Sequence, residues 1–237
     1  MVHNLSLTHS IVNQFISELR DVQIQQDRMR FRRNLSRLGE IFAYEISKTL
    51  SYTEREVTTP LGISNVPVLS EQPVIGTILR AGLPLHEGLL NYFDQGDSAF
   101  ISAYRKHHKD GSFEIKLEYV GSLSLDNRIL ILSDPMLATG SSIVATYKAL
   151  MERGIPKHTH IVSVLASTQG VEYVKAHVAE NVTIWCSAID EELTSQSYIV
   201  PGLGDVSYTH LRAHETVLDL VCRLLLEKKK TTTINIL

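Results

Sequence analysis

The residues best placed to do chemistry are Asp134-Pro135-Met136-Leu137-Ala138-Thr139-Gly140-Ser141-Ser142. They follow Ile129-Leu130-Ile131-Leu132, the most apolar short run of the chain, and precede a stretch with helical character to about Arg153. A segment leaving a buried strand and entering a helix exposes amide hydrogens that have no partner inside the helix, and the helix dipole favours negative charge there. A phosphate monoester fits such a place. Gly140 removes the Cβ where main chain must approach a ligand. Thr139, Ser141 and Ser142 supply hydroxyl donors, and Asp134 at the strand end could accept hydrogen bonds from two vicinal sugar hydroxyls. A plainer reading makes Ser141 a helix N-cap and Thr139-Gly140 a tight turn. The acid at the strand end favours the phosphate reading. No Gly-Lys-Ser/Thr follows, so the segment is not a Walker-type loop.

Three further segments have comparable potential. Arg80, in Ile78-Leu79-Arg80-Ala81-Gly82-Leu83, ends an apolar run and could hold a pair of diphosphate oxygens through its forked donors. Arg105 closes Ala103-Tyr104-Arg105 before a polar stretch, and could cover a diphosphate if that stretch folds over the site. Tyr198-Ile199-Val200-Pro201-Gly202-Leu203-Gly204-Asp205 has two glycines and a proline in eight residues. Main-chain groups of Ile199, Gly204 and Val206 could read the edge of a small planar base. A pocket that hydrogen-bonds one such base would reject another whose donor and acceptor pattern is reversed.

The elements that must position these segments follow from periodicity. Apolar residues recur at helical spacing over 8–20 and over 27–50, the second with Arg28, Arg30, Arg32 and Arg33 in its first turns. Residues 52–72, with Pro60, Gly62 and Pro67, read as turns or an edge excursion. Strands are expected at 74–79, 99–104, 129–132, 161–166 and 182–188, and helices after Pro84, after Ser142 and over 169–179. Residues 105–118 alternate like a mobile hairpin that turns at Asp110-Gly111. Strands alternating with helices predict a mostly parallel sheet with helices on both faces, whose ligands bind at the carboxyl ends of the strands.

Composition bounds the remaining choices. With 237 residues and 43% hydrophobic side chains the chain can bury a sizeable core. The net charge of -3 and the lack of a long basic block outside Lys228–Lys230 do not suggest a nucleic-acid surface. Two cysteines, Cys186 and Cys222, make no disulfide framework, and no run approaches the ~20 apolar residues of a membrane span. The expectation is a cytoplasmic protein with reduced thiols. His158 and His160 form an H-x-H pair without a visible third ligand and read as surface or strand-edge histidines; Trp185-Cys186 reads as core.

Apolar strand, acid, then Thr-Gly resembles the phosphoribosyl pyrophosphate (PRPP) signature of the type I phosphoribosyltransferases. The Asp134-to-Gly140 wording, Leu79-Arg80-Ala81-Gly82 and Tyr198–Asp205 resemble the uracil phosphoribosyltransferase branch in particular, and the likeness runs from about Asn13 to Asp205. Many relatives carry two acids at the strand end; here the pair is Ser133-Asp134, as is usual in the uracil branch. The resemblance implies a mostly parallel sheet flanked by helices, with a small hood and a mobile β-hairpin. It implies transfer of a phosphoribosyl group to uracil, with Mg²⁺ carried on PRPP and no direct protein ligand set.

It further implies PRPP contacts at Arg80, Arg105, Asp134 to Ser142 and Asp205. Asp134, Arg105 and Asp205 would be nearest the reaction, and Ile199, Gly204, Asp205 and Val206 would face uracil. Family members form dimers or larger homo-oligomers, and some are activated by GTP, for which no residue here can be derived. A non-catalytic PRPP-binding pyrimidine regulator on the same fold is the alternative. It would need a nucleic-acid surface, for which Arg28–Arg33 is the sole candidate. After Asp205 the family pattern would continue Ala-Gly-Asp, whereas this chain reads Val206-Ser207-Tyr208 and then a helical stretch. A phosphoribosyltransferase domain over 1–206 is therefore expected, with 207–237 an atypical tail of foreign or artefactual origin.

Overall fold

The computed structural model describes residues 1–107 and 113–204, and over 103–119 the backbone alone. Asp205, Val206, the tail and the Asp110-Gly111 turn lie outside the described residues.

In chain order the elements are β1 (Val2–Asn4), α1 (Ile11–Arg20), α2 (Arg28–Ser47), β2 (Tyr52–Thr59), β3 (Gly62–Leu69), β4 (Val74–Leu79), α3 (Leu83–Leu90), β5 (Asp97–His107), β6 (Phe113–Gly121), β7 (Ile129–Ser133), β8 (Met136–Leu137), α4 (Ser141–Met151), β9 (His158–Ser167), α5 (Thr168–His177), β10 (Val182–Asp190), β11 (Glu192–Leu193) and β12 (Ile199–Val200). The main sheet runs β1-β10-β9-β7-β4-β5-β6, and β8 also pairs with β9. Every neighbouring pair is parallel except β5 with β6. The expected mostly parallel sheet with helices on both faces is what the chain forms.

Its strands read as nearly continuous apolar runs because both faces are covered. Ile75, Ile131, Val162 and Trp185 face a core built with α1, α2 and α3. Val74, Leu130, Leu132, Ile161 and Ile184 face a second core built with α4 and α5. Helix starts follow side-chain capping. The Ser10 hydroxyl accepts the Val12 amide while the Asn13 side chain accepts the Ser10 amide, and Asp27 accepts the Arg30 amide. The buried Glu18 carboxylate ties α1 to α2 by accepting from Arg30, Asn34 and Gln14. One arginine of the Arg28–Arg33 cluster is thereby committed to holding two helices together.

Several expectations need correction. Residues 52–69 are not irregular: β2 and β3 form an antiparallel hairpin with Tyr52 opposite Leu69 and Thr59 opposite Gly62. Thr59 Oγ1 accepts the amides of Leu61 and Gly62, so Pro60-Leu61 make a tight turn rather than breaking a strand. Side chains from Tyr52 to Pro67 are all exposed, which removes the apolar alternation that sequence reading relies on. The short β1, unforeseen, adds to the sheet edge beside β10. His160 is not at the surface. It is 3% exposed, and its Nδ1 accepts from Trp185 Nε1 at 3.1 Å. Burial first, then the neighbouring His158 and His3, lower its pKa to about 3. The half-buried His158 bonds Thr183 Oγ1 at 3.0 Å. Cys186 and Trp185 are core, as expected. No helix among the described residues is long and apolar enough to cross a membrane.

Candidate active site

Sheet order brings the sequence-predicted segments together. β7, β4 and β5 are consecutive strands, so the segments after Ser133 and Leu79 and the strand bearing Arg105 share one carboxyl edge. Thr77 stands opposite Ser133. Thr77 Oγ1 donates to the Ser133 carbonyl at 3.3 Å, and Ser133 Oγ donates to the Gly76 carbonyl at 3.1 Å. Ser133 is therefore spent inside the sheet, while Asp134 is only half buried at its edge. Gly82 lets the Arg80 segment fold onto this strand end. A Cβ there would stand 2.8 Å from the Ile78 carbonyl oxygen. Arg80 is exposed. Arg105 lies on β5 opposite Ile115 of β6, which bears out a hairpin over this region.

The 134–142 loop is strapped to its neighbours. The Asp134 amide donates to the Val162 carbonyl at 3.0 Å, and the Pro135 carbonyl accepts from both Val164 and Leu165. Met136 and Leu137 then pair with Leu165 and Ala166 of β9. Leu137 is 1% exposed within the core, and Pro135 is buried too, so neither offers its side chain to a ligand. Next, the Ala138 carbonyl accepts from Ser167 Oγ at 2.5 Å, and the same hydroxyl caps α5 by accepting the Gly170 amide at 2.8 Å. In a trans peptide the N–H points opposite to the C=O. Fixing the Ala138 carbonyl toward α5 therefore turns the Thr139 amide away from it.

The helix begins one residue earlier than the plain reading had it. Gly140, at φ +77°, is the N-cap of α4, and Ser141 is its first helical residue. A Cβ on Gly140 would lie 2.8 Å from the Gly170 carbonyl oxygen, in a conformation L residues rarely adopt. The amides of Thr139, Gly140, Ser142 and Ile143 find no acceptor among the described residues, and that of Ser141 has only a 3.4 Å contact to Thr139 Oγ1. Thr139 Oγ1 donates to Ser141 Oγ at 3.1 Å. The result is a half-buried ring of donors at the positive end of a helix, a ready-made anion cradle.

The 198–204 loop hangs beyond β10. Leu193 and Ile199 pair across β11 and β12, and Thr194 and Tyr198 close the turn between them. Ile199 is buried, so its side chain packs into the core. Gly202 and Gly204 both have positive φ, +59° and +79°. Asp205 and Val206 lie outside the described residues.

Sequence reading missed four residues that shape these loops: Arg20, Ser167, Gly170 and Asp190. Gly170 has no Cβ to push α5 off Leu137 and Ala138. Asp190 ends an apolar strand just as Asp134 does, and that shared placement was the available signal. Burial works against its ionised form, yet hydrogen bonds from Arg20 and the Gly202 amide prevail and hold its carboxyl below the usual range. Among the described residues no group of His, Cys, Asp or Glu is placed to cage a metal ion.

A family model described as uracil phosphoribosyltransferase matches residues 6–208. A uracil phosphoribosyltransferase of Porphyromonas gingivalis is 53% identical over 204 residues, covering 86% of this chain and 94% of its own. One from Methanothermobacter thermautotrophicus is 34% identical over 177 residues, covering 74% and 80%. Among solved structures, the AQ2163 protein from Aquifex aeolicus superposes with a TM-score of 0.79 at 27% identity, covering 90% of this chain and 99% of that one. The strand-edge cradle and these matches agree, and the chain belongs to the uracil phosphoribosyltransferase family.

Proposed function

We propose that the protein transfers the phosphoribosyl group of PRPP to uracil, giving uridine monophosphate and diphosphate, a pentosyltransferase step of pyrimidine salvage. The observation that carries the reading is the set of open amides from Thr139 to Ile143 at the start of α4, beside the carboxyl ends of β4 and β5. These amides, with the hydroxyls of Thr139, Ser141 and Ser142, would bind the 5′-phosphate along the 135–142 main chain. Asp134 would accept the ribose hydroxyls. Arg80 and Arg105 would bind the diphosphate and neutralise the charge that grows on it as the anomeric carbon–oxygen bond lengthens. Main-chain groups of Ile199, Gly204 and Val206 would read uracil and present its N1 to the sugar, with Asp205 beside both substrates.

Positioning and electrostatics supply most of such a reaction, so no side chain is assigned as general base. By family likeness Mg²⁺ would be held chiefly by substrate diphosphate oxygens and water, the usual habit of this ion. When bound, Mg²⁺ supplies positive charge to the leaving diphosphate. By family likeness we further propose a cytoplasmic homodimer or larger homo-oligomer, GTP as an activator, and neither nucleic acid nor membrane as a partner.

The direct test incubates the protein with ¹⁴C-uracil, PRPP and Mg²⁺. Labelled uridine monophosphate is the expected product, and its absence, with ribose 5-phosphate failing to bind, would sink the reading.

A further inference from the structure

Arg20 ends α1 and Asp190 ends β10, and their side chains meet over the 198–204 loop. Arg20 grips both carboxylate oxygens, Nη1 to Oδ2 at 2.8 Å and Nη2 to Oδ1 at 2.7 Å. The same Nη1 donates to the Gly202 carbonyl at 2.9 Å, and the Gly202 amide donates back to Asp190 Oδ2 at 2.9 Å. Both main-chain polar groups of Gly202 are thus taken by one ion pair, in a closed ring of charge-assisted bonds. The ring is well shielded, with Arg20 23% and Asp190 8% exposed. Gly202 sits at φ +59°, and a Cβ built there would run into the Ile199 carbonyl, so no other residue type could take this conformation without displacing the strand before it. Asp190 is itself steadied by Thr168 Oγ1, which donates to its carbonyl at 3.3 Å.

We infer that Arg20 and Asp190 are positioning residues for base recognition: through Gly202 they set where Ile199 and Gly204 present their main chain to uracil. The inference rests on the activity proposed above. Among the described residues the pair makes no hydrogen bond to the 134–142 loop, so its loss should fall on the base side and spare the phosphate side. Bidentate arginine–carboxylate geometry fixes angle as well as distance, which a loop built of glycines and proline cannot do for itself. Breaking one partner also leaves a shielded charge without its mate.

The test uses Arg20→Gln, Asp190→Asn and Arg20→Lys in the full chain, with two independent readouts. Hydrogen exchange is followed by mass spectrometry over 199–204 and over 134–142. KM values for uracil and PRPP are measured alongside. In Arg20→Gln and Asp190→Asn, exchange over 199–204 should accelerate while 134–142 keeps its protection. KM for uracil should rise about tenfold or more, the equivalent of losing one charge-assisted bond, with KM for PRPP within about twofold. Arg20→Lys, which keeps the charge and loses the fork, should recover part of the uracil KM. Unchanged exchange over 199–204, or KM values for both substrates rising together with a lowered melting temperature, would overturn the inference. Wild-type protein that makes no uridine monophosphate would overturn the base-positioning role together with the activity assignment, and the exchange data would then show separately whether the clamp holds the loop.

Discussion

Ser167 and Asp190 stand opposite each other in register at the carboxyl ends of β9 and β10, and each holds a different loop. Ser167 Oγ donates to the Ala138 carbonyl, while the Asp190 carboxylate accepts the Gly202 amide. The two anchors therefore stand one step apart across a parallel sheet, about 4.8 Å, on strands rather than on the loops they hold.

For Ser167→Ala we expect the phosphate side to suffer. The lost N-cap of α5 should lower stability by about 1 kcal/mol. KM for PRPP should rise several-fold with KM for uracil little changed, the mirror image of the Arg20 variants. Calorimetric unfolding and steady-state kinetics measure both.

Gly140→Ala places a side chain in a left-handed conformation against the Gly170 carbonyl and Val174. The expected loss is about 1–3 kcal/mol of stability. PRPP binding should weaken as well, because relief of the contact moves the cradle amides. Isothermal titration with PRPP checks the second effect on protein that remains folded.

Asp134→Asn and Arg105→Ala should each lower kcat/KM by about two orders of magnitude or more, since in the proposed reaction each would remove charge at the sugar or the leaving group. Circular dichroism should be unchanged. Near-normal turnover in either variant removes that residue from the mechanism.

Stability should fall on acidification, for two reasons of the same sign. His160, at about 3 in the folded chain, takes up its proton in the unfolded chain near the ordinary 6.5. Its contribution is complete above about 6.5 and is lost progressively down to about 3. Hydrogen bonds from Arg30, Asn34 and Gln14 outweigh burial and hold Glu18 at about 2 against 4.5, so its contribution is full above 4.5 and disappears as pH falls toward 2. The chain has one tryptophan, and Trp185 donates to His160, so its fluorescence reports the first loss. His160→Gln should flatten the stability profile between about pH 6.5 and 4.

The order of strands and helices was legible because the sheet is covered on both faces, and Ile129–Leu132 and Ile184–Ile189 can be little else. The cradle was legible because it is continuous in sequence: acid, loop, glycine and helix start follow one another. Arg20 and Asp190 were not, since they lie 170 residues apart and hold Gly202 only once α1 has crossed to β10. Nothing in the sequence sets Ser167 apart; besides capping α5 it bonds the Ala138 carbonyl, a link that only the folded chain makes visible. The β2–β3 hairpin escaped because exposure on both faces erases the period-two signature.

The short β8 pairing and the doubly used Pro135 carbonyl have a thermodynamic consequence. The chain gives up its freedom around the cradle when it folds, not when its guest arrives. Association should then carry little entropic penalty from ordering this loop, and a free phosphate ester and the full diphosphate substrate should meet the same rigid template.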